Sequence, residues 1–447
     1  MSVTAGSATA GASTAGVDRD AVYRKIAWRL LPFILICLIV NYLDRVSIGY
    51  AKLQFQSDLH VNEAQFGLIT AVFFLGYIAC EVPSNMLAAR YGAPSQLTRI
   101  MLLWGAVMVS MMFARDAWWL AAQRFFLGAF EAGFFPGVVL YLSYWFPNHR
   151  RGRATSLFLV GIPLAGLVGG AISGAVMEGM DGWSGIRGWR WLFLVDGVPA
   201  ILLGLAAMFV LTDRPERARF LSDAEKQVVA EDMDADRRAR TTTVSTTVAE
   251  TIRDPKVWLM VLAFFCMPFL NTNNIWFPTL LKTVGAKSVT ETGYILAGVW
   301  IVAAIVCVSV GRHSDHAGER KWHLLITGLV AAAAWFALPL TSGSVWATAC
   351  LVAVANACAY TVFVVFWTVP PLFLEARGAA MGIAMINALG TFGGLSGPAI
   401  VGWTFQASGN IYIGFAIATA VFLIGTLIAV FALPHARSVK PETNAVP

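Results

Sequence analysis

Three stretches of this chain, Val257–Leu281, Val345–Val369 and Phe415–Leu433, contain no charged residue. Predominantly apolar runs of about eighteen residues or more are the mark of bilayer-spanning helices. Composition agrees, because 57% of the chain is hydrophobic and only 13% charged. A soluble domain carries about 25% charge, so this chain lacks the polar residues needed to cover a water-facing surface.

Marking apolar segments between charged or Gly/Pro-containing breaks places helices near 27–50, 64–88, 97–114, 117–141, 152–177, 190–211, 256–281, 290–311, 323–341, 345–371, 378–405 and 411–433. The longest polar stretch, Thr212–Lys256, divides them six and six. The expected fold is an all-α membrane protein of twelve transmembrane helices in two six-helix pseudo-repeat halves. Its parts are a disordered cytoplasmic tail (1–22), an N-terminal bundle (23–211), a cytoplasmic central loop (212–255), a C-terminal bundle (256–434) and a cytoplasmic tail (435–447). With the N-terminus inside, the inner segments hold 24 Lys/Arg, against six outside: Lys52, Arg115, Arg187, Arg190, Lys282 and Lys287. That asymmetry favours both termini in the cytoplasm. It also accounts for the net charge of +6 and pI near 9.0, so no nucleic-acid partner is expected. The first twenty residues have no charged start followed by an apolar core and do not read as a cleaved signal.

The six cysteines all lie in apolar stretches without a CxxC or Cys/His pattern, so no disulfide, metal site or cofactor is expected. Glycine-rich Gly161–Gly174 and Gly390–Gly402 follow no strand and read as places of close helix approach, not phosphate loops. No P-loop lysine motif points to ATP, and no nucleophile–base pair points to an enzyme.

A charge at the bilayer centre costs roughly 2.5–3.5 kcal/mol even on mild insertion scales, so charges within spans mark function by default. The first helix holds Asn41-Tyr42-Leu43-Asp44-Arg45, and the fourth holds Arg124 and Glu131. From the helical rise, Asp44 and Arg124 lie at similar depth in the outer half, with Glu131 about 10 Å nearer the cytoplasm on the face of Arg124. The guanidinium forks suit a carboxylate. Desolvation favours the neutral form of a carboxyl and a nearby guanidinium the charged form, so occupation of Arg45 or Arg124 by substrate is coupled to protonation of Asp44. Asp44 and Glu131 are the candidate proton carriers. A structural set of ion pairs joining the first and fourth helices is the alternative. Glu81 and Asp196 also lie in spans and, near helix ends, read as packing or loop-anchoring groups. In the second half Asn271, Asn273, Asn274, Trp276, Tyr360, Trp367 and Asn387 offer amides and aromatic faces that could complete a cavity, or simply join helices.

Several runs carry a family resemblance over roughly Tyr23 to Leu433: Asn41-Tyr42-Leu43-Asp44-Arg45-Val46, Glu81-Val82-Pro83-Ser84-Asn85, Arg124 through Gly137, Trp189-Arg190-Trp191-Leu192-Phe193, Gly318 through His323, and Gly378 through Asn387. The chain resembles the major facilitator superfamily and, within it, the anion:cation symporter family. The resemblance implies proton-coupled uptake of an organic carboxylate by alternating access. It assigns substrate and proton binding to Asp44, Arg45, Arg124 and Glu131, and a cavity-lining place to Tyr42 and Tyr77. The superfamily's second–third loop usually carries an aspartate where this chain has Ala89, beside Arg90; the second-half copy keeps Asp315, so gating is expected to rest more on that side. The fifth helix lacks the polar amide of sugar-acid members, which favours an aromatic or small hydroxy acid. Expected partners are that carboxylate, protons and the lipid bilayer of a bacterial inner membrane, with the protein a monomer. An efflux antiporter for a drug or organic anion is the alternative.

Overall fold

A computed structural model of the chain describes residues 17–241, 253–370 and 379–432. Among the described residues every regular element is an α-helix or a short 3-10 turn. Eleven spans are long and apolar enough to cross a membrane: Arg19–Asp58, Glu63–Ala88, Ala93–Phe113, Ala117–Trp145, Asn148–Gly179, Gly188–Val210, Pro255–Thr283, Val289–Ala317, Lys321–Thr341, Val345–Phe366 and Ile411–Ala432. Between the last two lies a further span broken in the middle, Ala379–Gly390 followed by Phe392–Ser408. Counting it as the eleventh gives twelve spans in two halves of six, the expected layout.

The first span runs for 40 residues, twice the roughly 20 that a bilayer needs. Asp18 caps it, its carboxylate accepting from the Asp20 amide at 2.9 Å. Its N-terminal end defines what we term the terminal face of the bundle; its other end lies on the distal face. Between the halves lies the helix Asp223–Thr241, within the segment expected to be a loop. It is tied to the start of the first span by Lys25–Glu225 at 2.8 Å, by Tyr23 Oη donating to Asp232 at 3.1 Å, and by an Arg19–Asp232 ion pair. Val228 and Val229 on the same helix are buried.

Small residues set how close the spans come. A Cβ on Gly76 would run into the Phe125 carbonyl oxygen, and one on Gly128 into that of Phe73, so the second and fourth spans touch backbone to backbone. The fourth span breaks after Glu131, where Gly133 takes φ +90°, a left-handed conformation that L side chains disfavour. The fifth span meets the eighth at Gly170 and Gly293 in the same close manner, across the two halves.

Contacts between the halves gather on the distal side. Thr290 Oγ1 donates to the Gly174 carbonyl at 3.0 Å, the Glu63 amide to Gln406 Oε1 at 3.1 Å, and Lys52 Nζ to Thr279 Oγ1 at 3.1 Å. Deeper, Asn387 donates to Glu81 at 3.1 Å.

Gly128→Val is expected to destabilise the fold by about 1–3 kcal/mol through overpacking. The measurement is the melting temperature of the purified protein, and an unchanged melt would show that the second and fourth spans do not meet there.

Candidate functional site

The first and fourth spans run antiparallel, and this alone aims two of their charges at one another. Side chains lean toward the N-terminus of their own helix. Arg45 therefore leans to the terminal side and Glu131, at the middle of the fourth span, leans back toward it. They form an ion pair, Arg45 Nη2 to Glu131 Oε1. Glu131 thus lies in the hand of Arg45, not as a separate deeper carboxylate.

The other two charges lean apart. Asp44 is 1% exposed and neither of its carboxylate oxygens accepts a hydrogen bond. Arg124 is 3% exposed, with Nε and Nη1 lacking acceptors. The two remain electrostatic neighbours without touching. Of the four, Arg45 is the one that reaches open space, its side chain 24% exposed against 1% for Glu131.

Aromatic rings hold both guanidiniums. Arg45 lies over Tyr42 at 4.8 Å, Phe73 at 5.3 Å and Tyr77 at 5.8 Å, and Arg124 lies over Phe73 at 4.6 Å. Phe73, itself buried, thus contacts both cations. The sequence reading missed it; the one signal was its place four residues before Tyr77, on the same helical face.

The second-half candidates scatter. Asn274 is half-buried beside Val46, Tyr50, Phe277 and Trp300, where the first span meets the seventh and eighth. Trp367 is half-buried and packs edge-on to Phe264 at 4.6 Å. Asn387 is engaged by Glu81 across the halves. The side chain of Asn271 lies outside the described residues. Trp276, expected in the cavity, is fully buried in a different task, closing the distal side against Lys52. The two gating candidates sit at the terminal face, Asp315 paired with Arg320 at 2.5 Å and Arg90 exposed over the Tyr91 ring at 5.3 Å.

Lys52 corrects the charge map. Counted from sequence as an outer-loop cation, it is 0% exposed within the long first span. It pairs with Glu63 at 2.6 Å and sits over Trp276 at 4.3 Å, Phe66 at 4.9 Å and Phe405 at 5.9 Å. Residues of both halves therefore enclose one ammonium group, and parting the halves on that side would strip it of Trp276, Phe405 and Thr279.

Twelve spans in two halves, a charge cluster between the first and fourth of them and a contact seam on one side are the features of a polytopic membrane transporter. The Major Facilitator Superfamily model matches residues 34–392, and the chain belongs to that family. Its motifs and relatives fit the anion:cation symporter-like members. A protein of Agrobacterium vitis named for tartrate transport is 37% identical over 93% of this chain and 92% of its own length. The quinolone resistance transporter of Acinetobacter baumannii is 32% identical over 93% of this chain and 95% of its own length. The fold is that of an inward-facing bacterial homologue of the human lysosomal transporter Spinster, with TM-score 0.70, 20% identity and coverage of 92% and 95%. The protein is an organic-substrate transporter and not an enzyme.

Lys52→Met is expected to loosen the distal seam. Hydrogen–deuterium exchange of the amides in 63–67 and 402–406 should rise relative to the unaltered protein, and unchanged exchange in those segments would show that the caged ammonium plays no part in closure.

Proposed function

We propose that the protein is a proton-coupled symporter that imports an organic carboxylate by alternating access, in a bacterial inner membrane with both termini cytoplasmic. One observation carries this reading: the buried Arg124 and the partly exposed Arg45 face two buried carboxyls, and Arg124 keeps N–H groups without acceptors beside an Asp44 whose oxygens are equally unengaged. Truncating one member of a buried charge pair costs several kcal/mol, so a cluster left this incomplete is a poor structural clamp. It is well suited to a ligand that supplies an anion and a proton that compensates it.

Charge counting gives the coupling. Arg45 and Arg124 balance Asp44 and Glu131, so the empty cluster is neutral when all four are ionised. A monocarboxylate brings one excess negative charge into a dry site, and one proton on Asp44 or Glu131 restores neutrality; a dicarboxylate calls for both. Moving a single negative charge inward against an interior-negative potential costs about 2.3 kcal/mol per 100 mV, which one accompanying proton cancels. Tyr42, Phe73 and Tyr77 around Arg45 favour an aromatic or small hydroxy acid, whose ring or hydroxyl they would meet as the carboxylate docks. In this orientation the distal seam is periplasmic and the structure is closed on that side.

Export is the second reading, favoured by the name of the quinolone resistance relative. In reconstituted vesicles an inward proton gradient should drive uptake of the carboxylate, whereas an antiporter would drive it out. A thermal-shift screen of aromatic acids, sugar acids and small dicarboxylates at two pH values selects the substrate; stabilisation by one class, stronger at the lower pH, is expected. Arg124→Ala should weaken binding of that acid by about 100-fold, the scale of a truncated buried charge contact, and retained affinity would sink the assignment. Glu131→Gln should abolish proton-driven accumulation while exchange persists; equal loss of both in folded protein would remove Glu131 from the proton path.

A further inference from the structure

The second and eleventh spans run antiparallel across the boundary between the halves and keep one register. Near the distal end the Glu63 amide donates to Gln406 Oε1 at 3.1 Å, and a Cβ on Gly67 or Gly402 would run into the backbone of the opposite span. Further down, a Cβ on Gly394 would press on the Phe74 ring. The series ends where Asn387 Nδ2 donates to Glu81 Oε1 at 3.1 Å. Among the described residues, no hydrogen bond joins these two spans nearer the terminal face.

Depth gives this last contact its meaning. Glu81 stands one turn past Tyr77 and two past Phe73, on the side of the helix that meets Arg45. It is about 27 Å along the second span from Glu63, against about 21 Å for Tyr77. The carboxyl therefore lies about 6 Å to the terminal side of a ring that holds Arg45, between the charge cluster and that face. It is also about 15 Å short of the helix end at Tyr91, too far in to anchor a loop, as the sequence had suggested.

Glu81 is 8% exposed, and among the described residues no lysine or arginine pairs with it. Asn387 is half-buried. A buried carboxyl without a hydrogen-bond partner is costly, and a single neutral amide replaces only part of the water it has lost. With the halves together the amide must stand in for that water. With the halves apart on the terminal side, water itself reaches the carboxyl. The two side chains therefore pull in opposite directions: the Asn387 amide stabilises the shut form, and the Glu81 carboxyl favours the open one.

We propose that Glu81 and Asn387 are positioning residues of the transport machinery, a poised gate that shuts the terminal side of the charge cluster. Their hydrogen bond breaks each time the halves part on that side, and the neutral donor keeps the contact weak enough to break. Asn387 is thereby a gate residue and not a ligand of the cargo. The inference rests on the alternating-access reading above, but not on the coupled ion or on the direction of transport.

Hydrogen–deuterium exchange of the purified protein tests it without any substrate. In Asn387→Ala the amides of 82–91 should exchange about tenfold faster, the scale of a lost hydrogen bond to a buried carboxyl, while those of 63–67 and 402–406 hold or slow. Glu81→Leu tests the same contact from the other half and should slow exchange in 82–91 below the unaltered level. Unchanged exchange in 82–91 for both variants, a rise on both faces in Asn387→Ala, or the same sign of change in the two variants would overturn the gate, leaving a packing contact. Lys52→Met separates this failure from that of alternating access. If it raises distal exchange while neither gate variant moves 82–91, the gate alone is wrong; if none of the three substitutions moves either face, alternating access fails and the gate falls with it.

Discussion

Charge is expensive in a medium that cannot solvate it, and most of what is specific about this protein follows from where it accepts that expense. Asp44, Arg124 and Glu131 are buried in the first and fourth spans with Arg45 half-buried beside them, yet only one full ion pair forms among the four. The antiparallel run of the two helices turns Arg45 and Glu131 together and Asp44 and Arg124 apart. The unengaged pair keeps its hydrogen-bonding capacity for a ligand and a proton. Backbone contact at Gly76 and Gly128 holds the second span close enough for Phe73 to face both guanidiniums.

Lys52 answers the same constraint in a different way. Its ammonium is enclosed by a carboxylate and three rings drawn from both halves, so its solvation depends on the halves being together on the distal side. Lys52 is seven residues beyond Arg45 on one helix, about 10 Å along the axis and on a similar face. The distal seam and the charge cluster therefore share a single rigid element, which gives a movement of the first span a direct effect on both. The seam's other contacts, at Thr290, Glu63 and the Gly170–Gly293 crossing, lie on that same side.

Asp44, Arg45, Arg124 and Glu131 were legible because a charged residue inside an apolar run stands out against its neighbours. The twelve spans were legible for the converse reason, since an apolar run long enough to cross a bilayer has few other stable places. The eleventh span shows a limit of that signal: its composition is continuous while its hydrogen bonding tightens at Thr391, whose carbonyl accepts from the Gly394 amide at 2.9 Å. Trp276 and Asn387 showed another. An aromatic ring or an amide in a membrane helix has the same appearance whether it faces a cavity or a neighbouring helix, and here one encloses Lys52 while the other joins Glu81.

By itself, the sequence determined the number of spans, the division into halves and the identity of the central charges, because each depends on the local contrast between apolar and charged residues. Only the tertiary structure decided which charges meet, that Lys52 belongs to the interior and that Asp196 is buried well inside the sixth span. Those facts depend on helix direction and on approach at glycine contacts, which bring together residues far apart in the chain and leave no trace in any one segment.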